Sequence, residues 1–352
     1  MVALDVGSRV AAEACRLWRC RTWASSRRAG DAVRPWAGSF AADIGYGMAG
    51  QGDRGGPAGT PWGGCRVIKV VSWNIGKREM PWRELVRMAR EGDADLALLQ
   101  EAGSPPGDLV NTIEYVDRVF WNRQLYDRWP LVVRLSDRIT VEPYRQVPPI
   151  SDLGEDAIGV SGIGTIAAGR VIPRDNEEEA FVAISMYARW LSPHPSTKSS
   201  WSVGYSDASA HRIISDLSAF IGHPDAARHR ILAAGDLNMF YGAIGSRLSL
   251  PKRDRTVWDR MEALGLEFLG PQAPRGRRAE TAPDDVPPDT KNVPTYYRPG
   301  SGPETTVNQL DYAFASHGFH GSVSVRAMNE IDEWGSSDHC RLMIEVKGRG
   351  ES

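Results

Sequence analysis

The chain has 352 residues, of which 41% are hydrophobic and 24% are charged, a composition typical of a globular protein that buries a sizeable core. No run approaches the roughly 18 apolar residues of a membrane-spanning helix, so no membrane span is predicted. The net charge of −2 divides into +4 over residues 1–66 and −6 over the remainder. An acidic body argues against a general polyanion binder.

Residues 1–66 are predicted to form a disordered or non-native extension. Gly, Arg, Ala and Trp recur there without a period, and Gly45–Gly64 is rich in glycine. Met48 is a candidate for the true start site, which native peptides from upstream of it would exclude. The segment has no apolar core of the kind that a secretion signal needs, so we expect a cytoplasmic protein.

The spacing of the cysteines is consistent with the predicted cytoplasmic location. None of the four has the spacing of a metal site, and reduced thiols are expected. A disulfide between Cys15 and Cys20 is the alternative. Cys65 completes the N-terminal group, and Cys340 is predicted to be a small apolar residue of a strand.

From Val67 the sequence changes to apolar strands and amphipathic helices. Its first half predicts a helix that begins near Pro81, a second over Asp108–Trp121 and a strongly amphipathic third over Asp207–Ile221. Runs of β-branched and aliphatic residues predict strands over Val67–Trp73, Asp95–Gln100, Leu131–Leu135, Ile139–Val141, Gly164–Ile172 and Phe181–Met186.

The second half of this region adds a helix over Thr256–Leu264 and a proline-rich loop over residues 270–294. Roughly ten strands with about four helices predict an α/β sandwich, in which packed sheets are flanked by helices. A single domain over residues 67–348 would hold it. The remaining strands are predicted over Ile231–Ala234, Leu310–Ala315, Ser322–Ala327 and Arg341–Val346.

Polar residues with catalytic chemistry stand at the ends of these strands, where rigid scaffolds present functional groups. Taken singly, each is typical of a turn or a solvated strand end. Together they include four carboxylates that would repel one another unless a cation neutralised them, and oxygen ligands favour Mg²⁺ or Mn²⁺. The residues are Asn74, Glu101, Tyr187, Asp236, Asn238, Asp311, Asp338 and His339.

These residues stand in the motifs WN, QE, Y, GDLN, LDY and SDH. In this order the motifs resemble those of the endonuclease/exonuclease/phosphatase superfamily, which includes exonuclease III-type AP endonucleases, deoxyribonuclease I, sphingomyelinases and inositol polyphosphate phosphatases. The resemblance spans about Val67–Val346, and GDLN with SDH is its most specific part. It implies a four-layered α/β sandwich, two packed mixed sheets flanked by helices, and a metal-dependent hydrolase of phosphodiester bonds.

The resemblance also implies which residues hold the metal and the water. Glu101 is expected to be the main ligand of a Mg²⁺ ion, with Mn²⁺ as a possible substitute. Asn74 is expected to support that ligand and a phosphate oxygen, and Asp338 is expected to lie near the metal and fix His339. Asp236 is expected to orient or deprotonate the attacking water.

The remaining roles concern the charge that develops on the phosphate. Asn238 and His339 are expected to donate to non-bridging oxygens, while Asp311 holds the ring of His339 and keeps it cationic. Tyr187 is expected to stabilise the phosphate or the leaving oxygen, where many members have a histidine. Many members also have an acidic residue two positions after the asparagine, where this chain has Gly76.

The sequence leaves the substrate open between a nucleic acid and a small-molecule or lipid phosphate, and a catalytically inactive binding module is a third hypothesis. Basic residues after Asn238 favour a nuclease, because they are predicted to bind phosphates beside the scissile one, although a solvated basic loop is the alternative. The predicted substrate-binding residues are Arg247, Lys252 and Arg253. Four loop aromatics are predicted either to stack on bases or to pack locally, namely Trp201, Tyr241, Tyr296 and Tyr297.

Overall fold

The computed structural model describes residues 67–110, 112–116, 129–147, 154, 156–160, 166–189, 206–222, 229–244 and 251–348. The extension predicted over residues 1–66 lies outside this described part. Within the described residues, no helix is long and apolar enough to cross a membrane.

The described part of the chain contains fourteen strands and three α-helices. The helices are α1 (Met80–Glu91), α2 (Ser206–Leu217) and α3 (Pro251–Ala263). The strands are β1 (Ile68–Asn74), β2 (Leu96–Ala102), β3 (Glu114–Val116), β4 (Trp129–Arg134), β5 (Ile139–Pro143), β6 (Arg145–Val147), β7 (Ala157–Gly159), β8 (Ile166–Pro173), β9 (Phe181–Tyr187), β10 (Ile231–Asp236), β11 (Leu266–Gly270), β12 (Asp311–Ser316), β13 (Val323–Met328) and β14 (Arg341–Val346).

The strands form two six-stranded mixed sheets. The first has the order β13-β14-β1-β2-β4-β3, and the second has the order β11-β12-β10-β9-β8-β5. Each sheet contains one parallel pair near its centre, β1 with β2 and β9 with β10, and the other pairs are antiparallel. Strands β6 and β7 form a separate short parallel pair.

Three apolar clusters hold the layers together. One lies between the two sheets, where Val70, Leu98 and Leu232 are buried completely. A second packs α1 against the outer face of the first sheet through residues such as Leu85. The third packs α2 and α3 against the outer face of the second sheet, with Ile213 among its members. The predicted four-layered α/β sandwich is therefore confirmed.

The helix predicted over Asp108–Trp121 is wrong where the structure describes that segment. Its apolar spacing is real, since Leu109 and Ile113 are both buried in the cluster beneath α1. However, the chain reaches those positions through a turn, with the N–H of Leu109 donating to the carbonyl of Pro106. Glu114–Val116 then pairs with β4 as an edge strand. Sheet pairing thus overrides the helical spacing.

Strands β10 and β9 approach so closely at Gly235 that no side chain fits. A Cβ atom on this residue would lie 2.0 Å from the carbonyl oxygen of Met186. We therefore expect Gly235→Ala to lower the free energy of unfolding by about 3 kcal/mol or more, at the upper end of overpacking effects. Urea denaturation measures this change. Gly107→Ala, where a Cβ meets nothing within 4 Å, is the control; equal stability of the two variants would contradict the prediction.

Candidate active site

The predicted site residues converge on one edge of the sandwich. In the second sheet, the register of β10 places Asp236 opposite Tyr187 of β9 and Asp311 of β12. In the first sheet, Asn74 ends β1 beside Gln100 of β2, and Glu101 follows. Because the parallel strands of both sheets end at this edge, residues far apart in sequence meet there.

Asp236 is at the centre of a hydrogen-bond network and is 1% exposed. One carboxylate oxygen accepts the backbone N–H of Asn238 at 2.8 Å. The other accepts the side-chain amides of Asn74 and Asn238, each at 2.9 Å. Burial raises the pKa of Asp236 above its usual range, and the charges of Asp311 and Glu101 add to this rise. The carboxyl group is thus held firmly and is more basic than an exposed aspartate.

His339 lies between two buried carboxylates. Its Nδ1 is 2.8 Å from Oδ2 of Asp311, and its Nε2 is 3.9 Å from Oδ2 of Asp236, which is too long for a direct hydrogen bond. Burial lowers the pKa of His339, but the charge and hydrogen bond of Asp311, with Asp236 and Asp338, outweigh it and raise the pKa to about 10. The neighbouring carboxylates therefore favour the imidazolium form of His339.

Glu101 and Tyr187 join the two sheets across the site. The hydroxyl of Tyr187 donates to Oε1 of Glu101 at 2.7 Å, and both side chains are buried. Glu101 has a φ of +46°, a left-handed conformation that is uncommon for a side chain of this size. Such conformations persist where the surrounding structure fixes them, and they cluster at functional sites.

Asp338 stands at the solvent side of the site, with its side chain 24% exposed. Arg78 approaches it, with Nη2 lying 3.5 Å from Oδ1, and also donates to the carbonyl of Ser336 at 3.0 Å. Gly76, at the position where many family members carry an acid, has a φ of +53°. A Cβ there would lie 3.4 Å from Oδ1 of Asp338. The positive charge of Arg78 therefore lies beside Asp338. A carboxylate at the position of Gly76, as in many members of the resembled family, would instead place a further negative charge there.

The two asparagines hold the carboxylate of Asp236 in place. Both amide hydrogens of Asn238 are engaged, one with Asp236 and the other with the carbonyl of Ala188 at 3.0 Å. Asn74 donates to Asp236 and accepts the N–H of Gly76. Donation from Asn238 to a phosphate oxygen would thus require one of these bonds to be exchanged.

Several positioning residues around the site were missed in the sequence. The indole of Trp73 donates to the carbonyl of His339 at 2.8 Å, and the hydroxyl of Ser337 donates to the carbonyl of Asn74 at 2.7 Å. The tryptophan of WN and the serine of SDH thereby tie two distant segments together. Tyr296, which the sequence offered only as a loop aromatic, packs its ring 4.7 Å from that of His339. For Trp73 and Ser337, their presence in the site motifs was the usable signal.

Gln100, the other residue of QE, joins the sheets below the site. Its amide donates to the hydroxyl of Ser185 at 3.0 Å, and Ser185 donates in turn to the carbonyl of Leu99 at 2.6 Å. All three residues are buried. A polar bridge of this kind fixes how one sheet sits on the other, and so fixes where Glu101 stands relative to Tyr187.

Two of the three predicted substrate-binding residues belong to α3. Lys252 is exposed in the first turn of α3. Arg253 is in an ion pair, with Nη2 2.6 Å from Oδ2 of the buried Asp207, which neutralises its charge and links α3 to α2. Arg247 lies outside the described residues.

Two of the four loop aromatics that were predicted either to stack on bases or to pack locally do pack locally. Tyr241 stacks on Phe268 with ring centroids 4.1 Å apart, and Tyr297 packs against Trp334 at 5.6 Å. Tyr296 is the exception, because it lies against His339 within the site. Trp201 lies outside the described residues.

The fold and the site together define a hydrolase built around a buried carboxylate, a histidinium and further carboxylates at one sheet edge. The model of the Endonuclease/Exonuclease/phosphatase family matches residues 71–339, and the chain belongs to this family. No characterised protein matched the chain significantly in a sequence search. The resemblance stated from the motifs is therefore confirmed by the family match.

Solved structures with similar folds agree with this assignment. The AP endonuclease LMAP from Leishmania major is 16% identical, with 80% of this chain and 88% of that chain covered at a TM-score of 0.53. The catalytic domain of Xenopus laevis APE2 is 15% identical, covering 81% and 94% at 0.52. The endonuclease domain of TRAS1, a telomere-specific non-LTR retrotransposon, is 14% identical, covering 80% and 98% at 0.50. At these identities the likeness is one of fold.

Proposed function

We propose that this chain is a Mg²⁺-dependent nuclease that hydrolyses phosphodiester bonds by in-line attack of a water molecule activated by Asp236. The observation that carries the proposal is the buried series formed by Asp236, His339 and Asp311. It combines a basic carboxylate with a cationic donor in one small volume. These are the two functions that the attack of water on a phosphodiester needs.

The donor set fits a hard divalent cation. Glu101 and Asp338 supply carboxylate oxygens, and Asn74 supplies an amide oxygen, all at the same edge of the sandwich. All-oxygen ligands suit Mg²⁺ or Mn²⁺ better than zinc. When bound, such an ion supplies charge neutralisation at the phosphate and the leaving oxygen. Tyr187, through its bond to Glu101, orients the main ligand.

The protein's own groups perform the proton and charge steps. Asp236 accepts the proton of the attacking water, and its hydrogen bonds from Asn74 and Asn238 fix its orientation during that transfer. The Nε2–H of His339 donates to a non-bridging oxygen and stabilises the charge that develops on it. Asp311 fixes the ring from the other side and favours its charged form.

A polynucleotide substrate is supported by the position of Lys252. Arg253 pairs with Asp207 at the start of α2, and Ser209 in the same turn accepts the N–H of Arg189, two residues after Tyr187. The first turns of α2 and α3 therefore lie at the edge of the sheet that carries the site. The proteins of similar fold include an AP endonuclease and the endonuclease domain of TRAS1. We infer that Lys252 contacts a phosphate beside the scissile one.

Nicking of supercoiled plasmid by the full chain tests the proposal. We expect cleavage with Mg²⁺ that disappears on addition of EDTA, returns with excess Mg²⁺, and is lost in His339→Ala. Agarose gels that separate supercoiled, nicked and linear forms give the rates. Absence of cleavage by the wild type with either Mg²⁺ or Mn²⁺ would exclude the nuclease. Phosphorylated small molecules and lipid head groups would then be the substrates to assay.

Lys252→Ala tests whether the substrate is a polynucleotide. Loss of one phosphate contact should weaken DNA binding and reduce the slope of log affinity against log salt by about 0.9 for duplex DNA. Fluorescence anisotropy over a series of salt concentrations measures this slope. Lys347→Ala is the matched control, because Lys347 follows β14 at the opposite end from His339. An unchanged slope in Lys252→Ala would remove this residue from the binding surface.

A further inference from the structure

A second group of potential ligands lies at the opposite end of the second sheet. Glu267 is in β11, and His317 follows the last residue of β12. The antiparallel register pairs Leu266 with Ser316, and the N–H of His317 donates to the carbonyl of Gly265 at 2.9 Å, so this turn is held against the start of β11. Asp311 and Ser316 are five residues apart along β12, which separates the two ends by about 17 Å.

Glu267, His317 and His320 are the one group of three acidic, histidine or cysteine side chains in the described residues whose potential ligand atoms all lie within 4.8 Å of one another. Nδ1 of His317 is 2.7 Å from Oε1 of Glu267. The rings of the two histidines stand nearly parallel, at 30°, with centroids 5.6 Å apart. The three side chains thus converge from a strand and an adjoining turn.

Hydrogen bonds decide which nitrogen of His320 is available to a metal. Nδ1 of His320 lies 2.6 Å from the carbonyl oxygen of His317. A carbonyl only accepts, so Nδ1 carries the hydrogen and Nε2 carries the lone pair. Metal-binding histidines in proteins are oriented in the same way, by donating their other N–H to a carbonyl or carboxylate.

An ion pair between Glu267 and His317 alone would also explain their short contact, and such exposed pairs contribute little to stability. That ion pair does not explain why His320 also lies beside Glu267 and His317, or why a backbone carbonyl holds the hydrogen of its ring on Nδ1. Two imidazoles with one carboxylate form a ligand set typical of zinc and related transition metals. It differs in kind from the oxygen ligands of the candidate active site.

We propose that Glu267, His317 and His320 form a binding site for a transition-metal ion of the zinc class, which links the turn after β12 to β11. The ion takes the place of the proton shared by Nδ1 of His317 and Glu267, and that proton passes to solvent. Nε2 of His320 supplies the third ligand. The side chain of His317 is 80% exposed, so the remaining coordination positions face solvent.

Calorimetric titration of Zn²⁺ into the full chain, with excess Mg²⁺ present to compete at the other site, tests this proposal. We expect one zinc per chain, and at least tenfold weaker binding in His317→Ala, His320→Ala and Glu267→Gln. Zinc should raise the melting temperature of the wild type and of the control His211→Ala, but not of these three variants. Circular dichroism establishes that each variant is folded.

Two results would overturn the proposal. One is the absence of a zinc site in the wild type under these conditions. The other is an unchanged affinity in His320→Ala, which would leave only the ion pair of Glu267 with His317. Glu101→Gln should retain the zinc site, so this experiment is independent of whether the chain is a nuclease.

Discussion

Asp236→Asn is expected to lower kcat for plasmid nicking by about 10²–10⁴, the usual contribution of a general base. An amide cannot accept the proton of the attacking water, although it fills the same space. Both carboxylate oxygens of Asp236 accept N–H groups, whereas an amide has one acceptor oxygen and an NH₂ that would face one of these donors, so the variant should lose the chemistry together with part of its stability. Single-turnover nicking at saturating Mg²⁺ measures the effect without a contribution from product release.

Asp95→Asn is the matched control for this substitution. Asp95 is also buried, but it precedes β2 and bonds to Ser136 and Arg138 at the end away from the site. Its replacement should lower stability while the folded fraction keeps its kcat. If Asp236→Asn retained more than a tenth of the wild-type kcat, Asp236 would not be the base.

The raised pKa of Asp236 has a second consequence, for stability in the absence of metal. The folded state favours the protonated carboxyl, so the stability from this group is present at low pH and is lost as the pH rises through the folded-state pKa. His339, whose pKa is also raised, contributes in the same direction. The melting temperature of Asp236→Asn should therefore fall less than that of the wild type between about pH 4 and the folded-state pKa of Asp236, which is about 8. Such trade-offs between stability and function are common at active sites.

The location of the site was predictable from the sequence because its residues stand at the ends of predicted strands. Asn74 and Asp236 each terminate an apolar run, so strand assignment alone places both at strand ends, but they lie in different sheets, and only the packing of the two sheets brings them together. The predicted strands around both residues match β1 and β10 within a few positions. The resemblance supplied the roles, and the structure supplies the order in which the side chains contact one another.

Contacts across long separations were beyond the sequence. Trp73 holds the carbonyl of His339 over a separation of 266 positions, and no local pattern indicates that bond. One of the two hydrogen bonds that the Asn238 amide donates also depends on a distant residue. It goes to the carbonyl of Ala188, which directly follows β9. Arg253 was predicted to bind phosphate because of its charge, but the sequence does not show that Asp207 neutralises it.

The short strand Glu114–Val116 shows why local spacing failed elsewhere. Leu109 and Ile113 have the separation of neighbours on a helix face, and both are indeed buried. The exposed edge of β4 offers backbone partners to the segment that follows, and those bonds are available only after the sheet has formed. A periodicity measured in sequence cannot include that contribution.

Asp311→Asn is expected to lower kcat by about 10²–10³ at pH 9, the scale for loss of one donor to a developing oxyanion. The charge of Asp311 and its bond to Nδ1 are what raise the pKa of His339 against the effect of burial. Without them, the pKa falls and the ring is neutral at this pH. At pH 6 the variant should lie within about tenfold of the wild type, since a larger share of the rings is protonated there.

The direction in which Asp311→Asn shifts the pH dependence of kcat distinguishes a charged His339 from a neutral one. If the imidazolium is the active form, the rate is lost as the pH rises through the pKa of His339, near 10 in the wild type. Asp311→Asn should then move this alkaline limb to lower pH, whereas Asp216→Asn, on α2, should leave it unchanged. A limb that stays in place while kcat falls equally at all pH values would mean that Asp311 only positions the ring. A limb that moves to higher pH would contradict the assignment of charge, because loss of a neighbouring anion cannot favour the cation.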